Sequence, residues 1–269
     1  VAFTKRLTRK VLHDAPGLEL VVAHRTVDWD KEALALVMQE TLGRALARKK
    51  LDRQPSLPLL GLGVTAACRS TGLVASELRV RQDVMQPVAR EIAAKIDAAG
   101  DLANVRLANL LPRVLEGKWR IPLDFDNLGR IQGEEGYLAV VHADGNGMGQ
   151  RVAALASAYS TPDRNRDYIT AIRDFSRQVE QAAVKALQAT ADSLADALLT
   201  DADLPSDWDY FPFRPIVFGG DGVTFVCTGR YGLALATRYL EAFEDATRSS
   251  AAFGMQPAYA CAGVAIVKL

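Results

Sequence analysis

Two aspartates in glycine-rich segments are the residues of this sequence whose types and spacing could support chemistry. Asp144 comes directly after the apolar run YLAVVHA and directly before GNGMG. The glycines Gly145, Gly147 and Gly149 lack Cβ atoms where the chain turns into a predicted helix, so backbone N–H groups can approach phosphate oxygens closely. The segment is therefore typical of a loop that binds a triphosphate.

Asp221 lies in the second glycine-rich segment, FGGDG, whose glycines permit the positive φ angles of a tight hairpin turn. In a β-α-β-β order the first strand lies in the middle of the sheet beside the hairpin, so the turn comes next to the end of strand 137–143. The carboxylates of Asp144 and Asp221 are then predicted to converge. Hard oxygen ligands beside a phosphate-binding loop are what a divalent-metal site for nucleotidyl transfer requires.

Other interpretations of these segments were compared with a metal site. As an EF-hand calcium loop starting at Asp144, the sequence has Met148 at the fifth position and Leu155 where a bidentate Glu is needed. As a dinucleotide-binding loop it has Gln150 where the third glycine belongs, and it lacks the lysine of a Walker loop. On spacing alone, two tight turns that tolerate Asp explain the segments as well as a metal site does.

The elements that must position the two aspartates follow the order β-α-β-β-α-β. We predict a strand at Tyr137–Ala143, helical segments up to Thr200, paired strands PIVF and VTFVC around the GGDG turn, a helix from Tyr231 to about Arg248 and a last strand at Ala258–Val267. This order is that of a ferredoxin-like fold, in which helices cover one face of an antiparallel sheet. The sequence therefore predicts an α+β class for residues 137–269.

The first part of the chain, residues 1–112, is predicted to be a separate mixed unit. A linker at residues 113–136, interrupted by Pro and Gly, joins it to the second unit. Within the first unit we predict strands at Leu18–Val27 and residues 59–68, and helices at Asp30–Lys50 and Asp83–Ala99. Five basic residues near the end of the first helix indicate a solvated helix end rather than a nucleic-acid patch: Arg44, Arg48, Lys49, Lys50 and Arg53.

The composition excludes several classes of protein. The 269 residues carry 32 Lys plus Arg against 32 Asp plus Glu and are 49% hydrophobic, which is typical of a soluble globular protein. Because the net charge is zero, an anionic ligand must be held by a local site rather than by bulk attraction. No apolar run reaches the ~18 residues of a membrane span, and three distant cysteines in apolar segments indicate buried thiols and a reducing, cytoplasmic location. The missing initial Met and the end within a strand-like run indicate a piece of a longer chain.

A combination of three segments resembles a known family. HADGNGMG after a strand, FGGDG in a hairpin and AGVAIVKL as a last strand are similar to the palm domain of the large polymerase-like subunit of type III CRISPR effector complexes, a relative of GGDEF diguanylate cyclases and class III nucleotidyl cyclases. The resemblance spans about residues 137–269. It implies a ferredoxin-like palm that binds ATP with two Mg²⁺ or Mn²⁺ ions and makes cyclic oligoadenylate messengers in antiviral defence. A much weaker similarity of residues 61–72 to the silent palm-like half of that subunit implies that residues 1–112 are a degenerate palm-like unit.

The residues and the resemblance together define the candidate site. The catalytic candidates are Asp144 and Asp221, the metal-ligand candidates are Asp144, Gly145 and Asp221, and the nucleotide-binding candidates are Gly145, Asn146, Gly147, Met148, Gly149, Gly219, Gly220 and Lys268. Lys268 ends the last strand, from which it could reach a phosphate, although a plain edge lysine is the more common explanation of such a residue. The implied partners are ATP or another NTP, RNA and other effector-complex subunits, with Mg²⁺ or Mn²⁺ as cofactor and no membrane.

One position departs from the family pattern. Where the GGDD turn of the family has its second aspartate, this sequence has Gly222, whereas the carboxylate position shared with GGDEF relatives is kept as Asp221. Two hypotheses follow: an active nucleotidyltransferase or cyclase with a weakened metal site, or a degenerate palm that binds nucleotide or acts as a scaffold in an RNA-guided complex. A Rossmann-type domain is a third alternative, but the hairpin signal at residues 215–227 argues against its parallel sheet.

A few further residues were weighed as candidates. His13 and Asp14 form an HD dipeptide, but an HD nuclease needs more His and Asp than a chain with three His supplies. His142 is interpreted either as a hydrogen-bonded core histidine or as a residue that faces the site. An acidic loop could supply the missing ligand, although such loops are typically solvated: its members are Asp201, Asp203, Asp207 and Asp209.

Overall fold

The computed structural model describes residues 2–52, 63–81, 84–99, 104–116, 119–129, 136–200, 209–248, 250, 253 and 256–268. The chain divides into two compact units, one formed by Val1–Asp28 with Leu36–Val105 and the other by Trp29–Ala35 with Arg106–Leu269. Helices are combined with antiparallel sheets, which agrees with the predicted α+β class.

The first unit is mainly helical, with one hairpin in its described part. Its helices are α1 (Ala2–Asp14), α2 (Leu34–Glu40, which starts in the second unit), α3 (Ala47–Leu51) and α4 (Arg90–Ala98), and a π-helical segment, Thr41–Leu46, joins α2 to α3. Strands β1 (Glu77–Arg81) and β2 (Val84–Val88) pair in antiparallel register. The helix predicted over residues 30–50 is therefore present, but it contains a π-helical stretch.

Two predictions for the first unit are wrong. Residues 18–27 form no strand, and Leu18 and Leu20 are exposed, because a strand-like composition without a partner strand is insufficient to form a ladder. The helix predicted to begin at Asp83 begins at Arg90, since Pro87 would interrupt the hydrogen bonds of a helix but is tolerated in a two-stranded sheet. Of the strand predicted at residues 59–68, the first four residues lie outside the described part, and the rest shows turns and an isolated bridge from Ala67 to Val74.

The second unit contains the predicted succession of strands and helices. Three short helices come first: α5 (Asn104–Leu110, which starts in the first unit), α6 (Pro112–Glu116) and α7 (Asp126–Gly129). They are followed by β3 (Tyr137–Gly145), α8 (Met148–Ala158), α9 (Asn165–Thr200), β4 (Phe213–Gly219), β5 (Gly222–Thr228), α10 (Gly232–Arg248) and β6 (Ala260–Lys268). The elements predicted for residues 137–269 are all present, with boundaries that differ by a few residues.

The four strands of the second unit form one sheet in the order β4-β5-β3-β6, with every neighbouring pair antiparallel. The first strand therefore lies in the interior of the sheet, next to the hairpin, as the β-α-β-β order predicts. In the ladder between β3 and β5, Leu138 pairs with Thr228 and Ala143 with Val223. This register brings the carboxyl end of β3 beside the turn that joins β4 to β5.

The core lies on one face of this sheet, where α9 and α10 pack. Side chains of alternate residues of β3, Ala139, Val141 and Ala143, are completely buried there with residues of both helices. The residues between them point to the other face, where Val140 and His142 are exposed. The pleat of β3 thus separates an apolar, helix-covered face from a face that is largely open.

The stretch interpreted as a linker contributes to the packing of the second unit. Leu128 of α7 is completely buried against Leu138 and Val226, and the Thr228 hydroxyl donates a hydrogen bond to the Leu128 carbonyl oxygen. Residues 117–118 and 130–135 of this stretch lie outside the described part of the chain.

A buried side-chain amide holds residues 29–35 in the second unit. Asn165, at the start of α9, is 1% exposed and donates to the carbonyl oxygens of Trp29 and Glu32 over 3.1 and 3.0 Å. Its Oδ1 accepts a hydrogen bond from the backbone N–H of Leu34 at 2.7 Å. Three satisfied hydrogen bonds at a buried polar group explain why this short segment belongs with residues that are distant in the sequence.

Candidate functional site

Asp144 and Asp221 lie at the same end of the four-stranded sheet. Asp144 is the penultimate residue of β3, and Asp221 lies in the two-residue loop between Gly219 and Gly222, the last pair of the β4–β5 hairpin. Continuing the β3–β5 register beyond the pair of Ala143 and Val223 sets Asp144 opposite Gly222 and Gly145 opposite Asp221. Each aspartate is therefore the cross-strand neighbour of a glycine.

The two aspartates approach these glycines closely. A Cβ atom on Gly145 would lie 2.8 Å from Asp221 Cβ and 2.9 Å from Asp221 Oδ2, a separation that real Cβ atoms do not show. A Cβ atom on Gly222 would lie 3.3 Å from Asp144 Oδ1. The absence of both side chains leaves room for the Asp144 and Asp221 carboxylates at the strand ends.

The carboxylates flank the strand ends from two sides. Because side chains alternate along a strand, Asp144 lies on the open face with Val140 and His142, whereas a Cβ atom on Gly145 would point to the helix-covered face. Asp221 leans toward that second position and is half-buried, while Asp144 is exposed. The space beyond the end of β3 and the start of β5 therefore has one carboxylate on each face of the sheet: Asp144 on the open face and Asp221 on the helix-covered face.

The turn after Asp144 is anchored to β6. The Asn146 backbone N–H donates to the Tyr259 carbonyl oxygen at 2.7 Å, and Asn146 Nδ2 donates to Cys261 Sγ at 3.0 Å. Gly147 has a φ of 71°, a left-handed conformation that favours glycine, and it precedes the first residue of α8. Among the described residues, no side chain caps this helix, so its first N–H groups have no side-chain partner there.

The other candidate nucleotide-binding residues differ in their surroundings. Met148 is half-buried, and its side chain contributes to the packing of the core. Gly149, Gly219 and Gly220 are exposed, and a Cβ atom on any of them would have no neighbour within 4 Å in the described structure. These three glycines leave open space around both turns.

Lys268 lies away from the other candidates. In the β3–β6 ladder, Asp144 pairs with Cys261, whereas Lys268 pairs with Tyr137 at the opposite end of the sheet. Seven residues of extended chain separate Lys268 from Cys261, which corresponds to roughly 24 Å at the usual rise of a strand. Lys268 therefore cannot reach a phosphate held at the Asp144 turn, and the edge-lysine interpretation accounts for it.

Tyr239 on α10 is a residue near the site that the sequence analysis missed. It is completely buried, and its ring stacks with that of Phe243 with centroids 6.2 Å apart. Burial raises the pKa of the phenol well above its ordinary value, and the negative charges of Asp221 and Asp144 raise it further. The sequence carries no signal for this proximity, since a tyrosine in an amphipathic stripe is typical of any packed helix.

The donor set at the strand ends fits a hard divalent cation. Mg²⁺ is commonly held by one or two carboxylates, with water and substrate phosphates completing its shell. Asp144, Asp221 and the Gly145 backbone would supply such oxygen ligands. Within the part of the chain that the structure describes, no group of three or more His, Cys, Asp or Glu side chains that could hold a metal is present.

The remaining candidates have other roles or lie elsewhere. His13 and Asp14 contact each other near the end of α1, where Asp14 also pairs with Lys10. His142 Nδ1 lies 2.9 Å from the Thr224 hydroxyl oxygen on the open face. Asp209 forms an ion pair with Arg120, and the other members of the acidic loop, residues 201–207, lie outside the described residues.

The cysteines differ from the expectation that all are buried. Cys68 and Cys227 are buried, whereas Cys261 is exposed beside Asn146. All three are free thiols.

None of the described helices is both long and apolar enough to cross a bilayer.

Comparison with known proteins gives no family and a partial structural similarity. No protein-family model matches the sequence, and no curated protein matches it. The structure is similar to a chain in a crystal structure of a Csm1–Csm4 cassette in complex with pppApA, with a TM-score of 0.36 and 17% sequence identity over 55% of this chain. The similarity covers 19% of that chain, so this protein spans about a fifth of its length.

Proposed function

We propose that the second unit is a ferredoxin-like palm that binds a nucleoside triphosphate with Mg²⁺ or Mn²⁺ at the carboxyl end of β3. The order β4-β5-β3-β6 and the alternation of strands and helices support the palm interpretation. The observation that carries the proposed function is the reciprocal approach of Asp144 to Gly222 and of Asp221 to Gly145. It supports a site in which the two carboxylates flank the end of β3, next to the phosphate-binding loop that the GNGMG segment predicts.

Different residues of the chain would bind the cation and the phosphates. Asp144 and Asp221 would hold the cation, and the chemistry it would supply is neutralisation of phosphate charge and activation of a ribose hydroxyl. The uncapped N–H groups at the start of α8 donate to phosphate oxygens, where the helix dipole also favours negative charge. Gly149, Gly219 and Gly220 leave room for the phosphates and the sugar.

The reaction that such a site supports is nucleotidyl transfer, with a cyclic or linear oligonucleotide as product and an antiviral effector complex as the setting that the motifs imply. The alternative is a degenerate palm that binds nucleotide or serves as a scaffold without turnover. Gly222 favours this alternative, because a carboxylate at position 222 would lie beside Asp144 and supply a further ligand. RNA and other subunits of an effector complex are partners of both proposals.

The experiment that tests the proposal is incubation of the full chain with labelled ATP or GTP and Mn²⁺, with binding and product formation measured separately. The variants are Asp144→Asn and Asp221→Asn. The matched control is Asp174→Asn, which changes an exposed residue in the first third of α9. Product that is lost in both site variants and kept in the control supports the enzyme. Metal-dependent nucleotide binding without product supports the degenerate palm, and binding that is unchanged in both site variants refutes both forms of the proposal.

A further inference from the structure

Tyr239 has a polar atom that the fold does not account for. Its side chain is completely buried, and within the described structure its hydroxyl has no hydrogen-bond partner. Buried hydroxyl groups are nearly always hydrogen-bonded, since an orphaned one loses its interaction with water and gains nothing in return. A phenylalanine would fill the same space and stack on Phe243 without this cost.

The position of Tyr239 relates its hydroxyl to the candidate site. The helix that carries Tyr239, α10, runs along β3 toward the site: a Cβ atom on Gly232 at its start would lie 2.3 Å from Ala139 Cβ, and the Thr247 hydroxyl near its end donates to the Ala258 carbonyl oxygen at 3.1 Å, next to the β6 residues that pair with the end of β3. Tyr239 lies midway between Gly232 and Thr247, over the stretch of β3 that leads to Asp144. It therefore lies on the helix-covered side of the sheet. Asp221 leans toward this side over Gly145, whereas Asp144 lies on the open face.

Two negative charges act on this hydroxyl. Burial raises the pKa of the phenol, and the charges of Asp221 and Asp144 raise it further, which accords with a hydroxyl close to the two carboxylates. A buried donor beside an acceptor-only carboxylate is a complementary pair, although the two are not bonded in this structure.

We propose that Tyr239 is a positioning residue of the candidate site, whose hydroxyl donates a hydrogen bond to Asp221 when that carboxylate holds a divalent cation. This inference rests on the proposed function, because it requires Asp144 and Asp221 to be cation ligands. A hydrogen-bond donor that fixes the orientation of a ligating carboxylate reduces the free energy needed to bring the ligands into place. The loss of such a partner typically weakens metal affinity by about ten- to a hundredfold. Asp221 is the acceptor rather than Asp144 because it lies on the side of the sheet that α10 covers.

The test is a Mn²⁺ titration of the full chain, followed by calorimetry or electron paramagnetic resonance, in the absence of nucleotide. The variants are Tyr239→Phe, Asp221→Asn and the control Tyr168→Phe, which removes a phenolic hydroxyl from a buried tyrosine of another cluster in the same unit. We expect Tyr239→Phe to bind Mn²⁺ about tenfold more weakly than the wild type, whereas Tyr168→Phe binds it equally well. The metal-free Tyr239→Phe protein should have an equal or higher Tm, because an unpaired buried hydroxyl has been removed.

The possible results distinguish a failure of the proposed Tyr239 role from a failure of the cation site itself. If the wild type binds Mn²⁺, Asp221→Asn loses it and Tyr239→Phe retains wild-type affinity, the role of Tyr239 is refuted and the cation site stands. If the wild type does not bind Mn²⁺, or Asp221→Asn binds it as well as the wild type, the proposed function fails and the role of Tyr239 fails with it. Weaker binding combined with unreduced Tm supports a positioning role, since a purely structural tyrosine would change stability and leave Mn²⁺ affinity unaltered.

Discussion

Asp221 occupies the space that a side chain at position 145 would need, since a Cβ atom on Gly145 would lie 2.9 Å from Asp221 Oδ2. The same Cβ atom would lie 2.9 Å from Met148 Cε, which belongs to the first turn of α8. The end of β3, the hairpin turn and the start of α8 are therefore in close contact at Gly145.

Gly145→Ala is expected to displace Asp221 and to destabilise the second unit. Overpacking at a well-filled position costs about 1–3 kcal/mol, and a displaced carboxylate also weakens Mn²⁺ binding. Gly263→Ala in β6 is the matched control, because a Cβ atom there has no neighbour within 4 Å in the described structure. Urea denaturation and a Mn²⁺ titration measure both effects. Equal unfolding free energies for Gly145→Ala and the wild type would contradict the tight packing.

Gly222→Asp is expected to make the stability of the protein depend more strongly on divalent metal. The new side chain starts 3.3 Å from Asp144 Oδ1, so two carboxylates repel each other in the absence of a cation and bind one together in its presence. The Tm of this variant should therefore be below that of the wild type without Mn²⁺ and should rise more on its addition. Gly222→Asn, with the same shape and no charge, is the control. A Mn²⁺-induced rise in Tm that is the same for both variants would count against a cation site beside Asp144.

Cys261 is expected to report occupancy of the Asp144 turn. It is exposed and pairs across the ladder with Asp144, whereas Cys68 and Cys227 are 2% and 0% exposed. Alkylation of the native protein should therefore modify one thiol rapidly, and nucleotide with Mn²⁺ should slow that reaction. Mass spectrometry of digested protein identifies the modified residue.

Cys68→Ser provides the control for this labelling experiment. Hydrogen bonds, foremost that with the Thr71 hydroxyl, lower the pKa of Cys68 to about 7, so Cys68 is the other thiol that could react with the reagent in the folded protein. The variant should keep the rapid phase. Rapid labelling that nucleotide and Mn²⁺ leave unchanged would place nucleotide binding elsewhere.

The stability of the second unit is expected to fall above about pH 9. Burial raises the pKa of the Cys227 thiol from 9.0 to about 12, so between these values the folded state binds a proton that the unfolded state has lost. Stability from this group is present below pH 9 and decreases by about 1.4 kcal/mol per pH unit above it. Urea denaturation of the wild type and of Cys227→Ala, under reducing conditions at pH 8, 9 and 10, measures the decrease. The stability difference between the two proteins should be constant from pH 8 to 9 and shrink by pH 10, and a difference that stays constant to pH 10 would refute the prediction.

The order of elements in the second unit could be predicted because each element carries a strong local signal. The apolar run YLAVVHA, the hairpin with its GGDG turn and the stripe through α9 are patterns that single stretches of chain display. The first unit was harder to predict, because the spacing of Val84 and Val88 fits a helix as well as a strand. Pro87, which disfavours the helix, was the local signal that distinguishes the two.

Glycine spacing and apolar periodicity were sufficient to indicate two aspartates on neighbouring strand ends and an α+β arrangement around them. The reciprocal fit of Asp144 to Gly222 and of Asp221 to Gly145, the separation of Lys268 and the burial of the Tyr239 hydroxyl depend on the register of paired strands and on helix packing. These relationships join residues that are distant in the chain. They follow from the free energy of packing the whole sheet against α9 and α10, which no local pattern of residue types records.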